Sequence, residues 1–316
     1  MKHSLVLVLI LVLAVAVCPF VPLPQLQESV DPQPPTGENN NTVTLHLQNG
    51  KQKLSLSWRD YLIGVLAAEM QPDAEPEALK AQTVAAHTYA LFRLRQGDTL
   101  TDDPNTCQGY WSDAQMQTQW GSNYPQRQAR LSQAVDSVAD EVLLFDGAPI
   151  LAAYHALSPG KTESAETVWG KQLPYLPSVS ADGDILSPQL ETTLTLTKAA
   201  FLEQSAALDG ANLKKTTRKW VGKSVTHDSG YVQKIRIGDA SFSGPDVRAA
   251  FGLESPCFTL KQTGESFTFT VFGRGHCVGM SQNSADFMAR QGSDYKEILA
   301  HFYPGAVLTA GSEPAT

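Results

Sequence analysis

The fold of this chain is decided by residues 58–96, which read WRDYLIGVLAAEMQPDAEPEALKAQTVAAHTYALFRLRQ. Apolar side chains recur at helical spacing from Trp58 to Met70, and Pro72 predicts the end of that helix. Pro76 suits the start of a second helix, predicted from Glu77 to about Gln96, because the first helical position needs no N–H. Two consecutive apolar helices joined by a short turn indicate the centre of a hydrophobic core.

Strand patterns surround this helical pair. Polarity alternates in Thr42–Gln48 and in Lys53–Ser57, and the Asn49-Gly50 turn between them is typical of a β-hairpin. A further strand is predicted at 150–155, and a second hairpin is predicted within 258–271.

Two longer stretches differ from this pattern. Residues 97–125 are polar, aromatic and turn-rich. Residues 190–252 begin with threonines and mix helix and strand patterns, which indicates an inserted lobe. We therefore expect an α+β fold, in which a helical core packs on antiparallel strands and carries a smaller inserted α+β lobe.

Length and composition exclude some classes of function. The chain has 316 residues, enough for one large domain or two ordinary ones. Its formal net charge is −8, and the composition indicates no basic face rich in lysine and arginine. Because nucleic-acid binding depends on such a face, no nucleic-acid partner is expected.

The N-terminus predicts export. Residues 1–21 combine a short positive head with an apolar run of nearly the length that spans a bilayer. No clear cleavage site follows, so an uncleaved anchor is favoured, although a cleaved signal peptide stays open. Residues 22–42 are rich in proline, asparagine and glutamine, which predicts a disordered linker. The folded part is expected over 43–308 on the outer side of the membrane, followed by a tail at 309–316.

Three segments carry candidate functional residues. The first, 61–91, contains Glu69, and the second and third cover 154–176 and 273–305. Other candidates in these segments are Lys80, His87, Ser158, Lys161, Thr162, Trp169, Tyr175, His276, Ser281 and Gln282. The order, spacing and residue types resemble the SpoIID/LytB family (stage II sporulation protein D and relatives) over about 45–308.

The resemblance implies a lytic transglycosylase that cuts peptidoglycan between N-acetylmuramic acid and N-acetylglucosamine during sporulation or cell-wall remodelling. Such proteins act beside a cell-wall amidase and membrane partners, and their catalytic glutamate corresponds to Glu69. Glu69 ends an apolar helical run, and apolar surroundings keep a carboxyl protonated to higher pH, as a general acid requires. One carboxyl is enough, because the C6 hydroxyl of the sugar replaces the water that hydrolases activate with a second carboxylate.

The other ten candidates are expected to bind substrate, and three positions depart from the family pattern. His87 stands where the family usually has arginine, and Pro159 and Cys277 each replace a glycine. These departures leave open an alternative function, a non-catalytic glycan-binding protein that stimulates a cell-wall amidase.

The cysteines raise two further hypotheses. Cys257 and Cys277 flank the second predicted hairpin and can form a disulfide in an oxidising compartment, which leaves Cys107 over. Cys277 is also a candidate nucleophile with His155 as its base, although no third orienting group is evident. No CxxC pair or well-spaced Cys/His cluster is present, so neither a metal nor a cofactor is predicted.

Overall fold

The computed structural model describes residues 42–47, 52–104, 106–213 and 219–310, and it confirms the α+β class. The helices are α1 (Trp58–Glu69), α2 (Pro76–Arg95), α3 (Asp113–Trp120), α4 (Tyr124–Val138), α5 (Ala165–Trp169), α6 (Asp182–Ile185), α7 (Lys198–Gln204), α8 (Gly244–Phe251), α9 (Gln282–Arg290) and α10 (Tyr295–Phe302). The strands are β1 (Thr42–His46), β2 (Lys53–Ser57), β3 (Leu100–Thr101), β4 (Glu141–Phe145), β5 (Ala148–Pro149), β6 (Tyr154–His155), β7 (Glu191–Thr197), β8 (Val221–Thr226), β9 (Val232–Ile237), β10 (Ala240–Phe242), β11 (Phe258–Thr263), β12 (Ser266–Phe272), β13 (Met280–Ser281) and β14 (Val307–Ala310).

Helix α2 lies at the centre of the larger hydrophobic core. It contacts α1, α4, α9 and α10, and its alanines are buried together with Leu79 and Val84. Ser57 immediately precedes helix α1, and its hydroxyl caps the first turn by accepting the Asp60 N–H at 3.1 Å. The turn between the two helices allows Glu69, at the end of α1, to border the core that α2 fills.

Small sheets enclose this helical core. Strands β1 and β2 form the predicted antiparallel hairpin, and the Asn49-Gly50 turn lies outside the described residues. Strand β4 pairs antiparallel with β14 and β5, while β6 pairs in parallel with β13.

One prediction about local structure is wrong, and one helix was not predicted. The strand expected at 150–155 is reduced to β6, because the N–H groups of Ala152 and Ala153 bond to carbonyls two residues back, as in tight γ-turns. The turn-rich stretch 97–125 contains helix α3, which Ser112 begins with a capping box. Its periodicity is weak because only two of its side chains, Met116 and Trp120, are buried.

A second hydrophobic cluster is built from β7 to β12 with α7 and α8. Its centre is a stacked pair of rings, Phe201 and Phe267, whose centroids are 4.0 Å apart. Strand β12 pairs with both β11 and β7. The lobe expected at 190–252 therefore shares its hydrophobic cluster with the hairpin β11–β12.

The expected anchor at 1–21 lies outside the described residues, as does the linker up to residue 41. Among the helices that the structure describes, none combines the length and the apolar character needed to cross a bilayer. Strand β14 continues to Ala310, two residues into the expected tail, and 311–316 also lie outside the described residues.

Candidate active site around Glu69

Glu69 is half-buried at the C-terminal end of α1, where its carboxylate accepts a hydrogen bond from the backbone N–H of Gly109. Burial raises the pKa of Glu69 to about 7, and the Gly109 hydrogen bond opposes that rise. No neighbouring charge contributes to this shift among the described residues, so Glu69 acts as a single, isolated carboxyl. Near neutral pH such a group both donates and accepts a proton readily.

Segment 108–111 packs closely against α1. A side chain at Gly64 would collide with the Tyr110 ring, and the Trp111 N–H donates to the Gly64 carbonyl at 3.0 Å. Gly109 itself is closely packed, since a Cβ there would lie 3.1 Å from Glu69 Oε1. The close approach of these two segments holds the Gly109 donor on the Glu69 carboxylate.

Gln108 forms a polar network directly beside this contact. Its Nε2 donates to the Tyr61 hydroxyl at 2.8 Å and to the Ala86 carbonyl at 3.1 Å, while its Oε1 accepts from the Tyr154 hydroxyl at 2.8 Å. Burial raises the pKa of Tyr154 well above its ordinary value, and the negative charge of Glu69 raises it further. Tyr154 is therefore a neutral phenol close enough to Glu69 to respond to its charge.

Sequence reasoning missed Gln108 as a functional candidate. It lies in the turn-rich stretch outside the three motifs, and its side-chain partners Tyr61 and Tyr154 are 47 and 46 residues away along the chain. Gln108 directly precedes Gly109, which donates to Glu69, and this relation to Glu69 exists only in the folded chain.

Strand β6 connects the Glu69 network to the third motif. Tyr154 and His155 pair with Met280 and Ser281 of β13, and Tyr154 also reaches Gln108 with its hydroxyl. Gln282 follows β13, and its Nε2 donates to the Oε1 of Gln82 on α2 at 3.3 Å. Residues from all three motifs thus meet around β6.

An imidazole pair lies on the other side of β6. The His276 ring is 5.8 Å from the His155 ring and 5.4 Å from the half-buried Trp169 ring. The Nδ1 of His276 accepts from the Val278 N–H at 3.1 Å. Burial, together with the nearby His155 and Arg248, lowers the pKa of His276 to about 3, so His276 is neutral at pH 7. Because Nδ1 already accepts a hydrogen bond, the neutral ring carries its proton on Nε2, where it is a donor and adds no charge to the site.

Asp184 joins the second and third motifs, and it was not among the residues predicted from sequence. Its carboxylate accepts five hydrogen bonds, from the Ser158 N–H and hydroxyl, the Ser281 and Ser284 hydroxyls and the Asn283 amide, at 2.7–3.1 Å. Asp184 is fully buried. Ser158 and Ser281, which were expected to bind substrate, are also buried, and their hydroxyls donate to the Asp184 carboxylate.

The contacts that the structure gives for Lys80 and His87 are with residues other than Glu69. Lys80 Nζ donates to Glu77 Oε1 at 2.6 Å, and it has no part in setting the Glu69 pKa. It borders a cavity of about 120 Å³ that does not include Glu69. His87 is buried with its ring centroid 4.7 Å from that of Trp58, and burial lowers its pKa to about 4. The histidine therefore supplies no positive charge in place of the arginine usual in the family.

The remaining candidates in the second motif differ in exposure. Lys161 is exposed and pairs through its backbone with Ser180. Thr162 is buried, and its hydroxyl accepts from the Val179 N–H at 2.9 Å. Tyr175 is buried, and its hydroxyl accepts from the Leu151 N–H at 3.3 Å. Of these three, only Lys161 presents its side chain to solvent.

Among the described residues, the cysteines form neither a metal site nor a nucleophile paired with a base. No group of three or more His, Cys, Asp or Glu side chains there is placed to hold a metal ion. Cys277 is fully buried with its Sγ 3.7 Å from the Cys257 Sγ, and the Nδ1 of His155 faces the Val278 carbonyl at 3.1 Å. These contacts leave Cys277 without the base that a nucleophile requires.

Several known proteins are similar in sequence to this chain. The family model for stage II sporulation protein (SpoIID) matches residues 48–145, which include Glu69 and Gly109. Stage II sporulation protein D of Bacillus subtilis is 36% identical over 260 residues, covering 79% of this chain and 74% of that protein. The protein of the same name in Bacillus amyloliquefaciens is 32% identical over 293 residues, covering 90% of this chain and 83% of the relative. The chain therefore belongs to the stage II sporulation protein D family.

A relative of lower identity is named for an effect on an amidase. The amidase enhancer of Bacillus subtilis is 28% identical over 302 residues, and the match covers 79% of this chain and 40% of that longer protein.

Proposed function

We propose that this protein is a lytic transglycosylase, which cleaves peptidoglycan glycan strands between N-acetylmuramic acid and N-acetylglucosamine in sporulation or cell-wall remodelling. The observation that carries the proposal is the state of Glu69, a single half-buried carboxyl with a pKa of about 7 and one backbone donor. A reaction that needs one acid and no activated water fits a site with one carboxyl.

The proposed reaction uses the same carboxyl twice, first as an acid and then as a base. Glu69 donates its proton to the glycosidic oxygen as the bond from C1 of N-acetylmuramic acid breaks. The resulting carboxylate removes the proton of the C6 hydroxyl on the same sugar, and that oxygen bonds to C1 to close the 1,6-anhydro ring. Glu69 ends protonated, so the site is ready for the next bond.

The Gly109 N–H stabilises the carboxylate that exists between the two proton transfers. Neutral His276 and the half-buried Trp169 supply a hydrogen-bonding ring and an aromatic face that suit a sugar. Exposed Lys161 is available for the carboxylate of a muramic acid unit. Lys80, His87, Thr162 and Tyr175 stay predictions as substrate contacts. We also propose that the chain is exported and held at the membrane by its N-terminal segment, with this site facing the cell wall.

The alternative function is a glycan-binding protein that stimulates a cell-wall amidase. The similarity to a protein named amidase enhancer favours it, as does the loss of the arginine at His87. Under this alternative, the protein binds strands and an amidase works faster beside it, while Glu69 changes no bond.

Digestion of peptide-free glycan strands separates the two functions. The wild-type chain should release products with 1,6-anhydro-muramic ends, detected by mass spectrometry. Glu69→Gln should lower their formation at least about 100-fold, because the amide cannot donate the required proton. Glu265→Gln, an exposed glutamate in the β11–β12 hairpin, is the matched control and should keep full activity. Strands that are bound and left intact by the wild type would refute the transglycosylase.

A further inference from the structure

Cys257 and Cys277 place two thiols face to face in the larger hydrophobic core, with Cys277 inside the third motif. Cys257 immediately precedes β11, and Cys277 follows His276 in the loop 273–279. Their Sγ atoms are 3.7 Å apart, and both residues are buried, with 1% and 0% of their surface exposed. A disulfide brings the sulfurs to about 2.05 Å, so closing the bond requires a shift of less than about 2 Å.

The backbone conformation of Cys277 is unfavourable for a residue that has a side chain. Its φ is +66°, in the left-handed region that favours glycine. The other described non-glycine residues with positive φ are Asp146 and Asn212, whose residue types adopt this conformation more readily. A β-carbon at position 277 therefore carries a conformational strain that glycine would avoid.

The loop around Cys277 has almost no room for other side chains. Gly273, Gly275 and Gly279 all have positive φ, and a Cβ at Gly273 would lie 2.6 Å from the Leu157 carbonyl oxygen. A Cβ at Gly275 would lie 2.8 Å from the His155 Cβ. Cys277 is thus a strained residue within a glycine loop, and its side chain points at a second thiol.

From this geometry we infer that Cys257 and Cys277 are an oxidative cross-linking site, which ties the loop carrying His276 to the start of β11. The co-reactant is an organic disulfide. One cysteine thiolate attacks it to give a mixed disulfide and one thiol, and the second thiolate displaces the other thiol. Two cysteine thiols are oxidised to one disulfide by two electrons, and the co-reactant is reduced to two thiols.

The cross-link would hold three segments together at the second and third motifs. The Cys277 carbonyl accepts the Glu163 N–H at 2.6 Å, and the Cys257 carbonyl accepts the Phe272 N–H at 2.7 Å. A covalent bond between the two cysteines therefore limits how far the His276 loop moves from the lobe. Because both thiols are buried in the folded protein, the oxidant must act while the chain folds after export. This inference rests on the proposed export of the chain, and it does not depend on the reaction that Glu69 performs.

Peptide mapping tests the cross-link on the full chain. The chain is produced with export into an oxidising compartment, its free thiols are capped with iodoacetamide in denaturant, and it is digested without reductant. We expect the peptides containing Cys257 and Cys277 to be joined, two hydrogens lighter than the separate thiol peptides, while Cys107 is capped. Capped Cys257 and Cys277, or either one joined to Cys107 or to a second chain, would overturn the proposal.

Thermal unfolding gives an independent readout. Excess reductant should lower the Tm of the wild type by several degrees. Reduction opens the loop between Cys257 and Cys277, which are 20 residues apart, and so restores conformational entropy to the unfolded chain. Cys107→Ser should show the same reductant-dependent shift. Cys277→Gly, which also removes the strain at φ +66°, should show none. An equal Tm with and without reductant in the wild type would speak against the cross-link, whichever function Glu69 has.

Discussion

Glu69 combines a half-buried carboxyl with one backbone donor, and the two act in opposite directions on its proton. Burial disfavours the charged form, while the Gly109 N–H favours it, and the balance leaves the pKa near 7. An exposed glutamate would be ionised at neutral pH and would make a poor acid. The structure thus supplies, at the level of one residue, the property that the proposed proton transfer needs.

The raised pKa also predicts how stability changes with pH. The folded pKa of Glu69 is about 7 against an ordinary value of 4.5, so the folded state holds this proton when the unfolded state has lost it. Raising the pH from about 4.5 to 7 therefore favours unfolding, and the stabilisation present at low pH is lost. The shift corresponds to about 3 kcal/mol at most.

Glu69→Gln provides the comparison, because glutamine does not titrate. Urea unfolding at intervals from pH 4 to 8 should show the free energy of unfolding of the wild type falling relative to that of Glu69→Gln across this range. A constant difference between the two proteins at all these pH values would mean that Glu69 titrates normally.

At the scale of elements, Asp184 determines how the second and third motifs meet. It lies in the short helix α6, and its carboxylate receives donors from the loop at Ser158 and from the start of α9 at Ser281, Asn283 and Ser284. A buried carboxylate is tolerated only when its oxygens are satisfied, and here both are. Ser281 caps α9 while it also donates to Asp184, which fixes the helix start to the loop.

Asp184→Asn should weaken this junction without changing its shape. The new amide NH₂ is itself a donor, so the serine and asparagine groups that now donate to that carboxylate oxygen would lose their acceptor. These unsatisfied buried donors should lower the free energy of unfolding by about 3 kcal/mol. The urea midpoint should fall at an unchanged m-value. Asp182→Asn, two residues earlier and exposed, is the matched control and should stay within about 0.5 kcal/mol of the wild type. Equal destabilisation by the two variants would refute the role of the Asp184 carboxylate.

At the scale of the whole molecule, sequence patterns located the elements whose partners are close along the chain. Helices α1 and α2 follow apolar spacing and proline positions, and the hairpin β11–β12 follows alternation. Gln108 and Asp184 were invisible because each acts through partners that only folding brings together, 26 to 100 residues away for Asp184. Glu69 was located through its motif, whereas its pKa depends on Gly109, 40 residues further on.

The two hydrophobic clusters predict that the lobe can lose its packing while the Glu69 site stays folded. Phe201 is fully buried in the second cluster and stacks on Phe267, whereas α1 and α2 pack in the first. Phe201→Ala should lower the stability of that cluster by about 3–5 kcal/mol, because it leaves a cavity among aromatic rings. Hydrogen exchange should then speed up at amides in β7, α7 and β12, while amides in α1 and α2 keep their protection. Equal loss of protection in both clusters would show that the chain unfolds as one cooperative unit, in which case motion of the lobe could not be separated from the integrity of the Glu69 site.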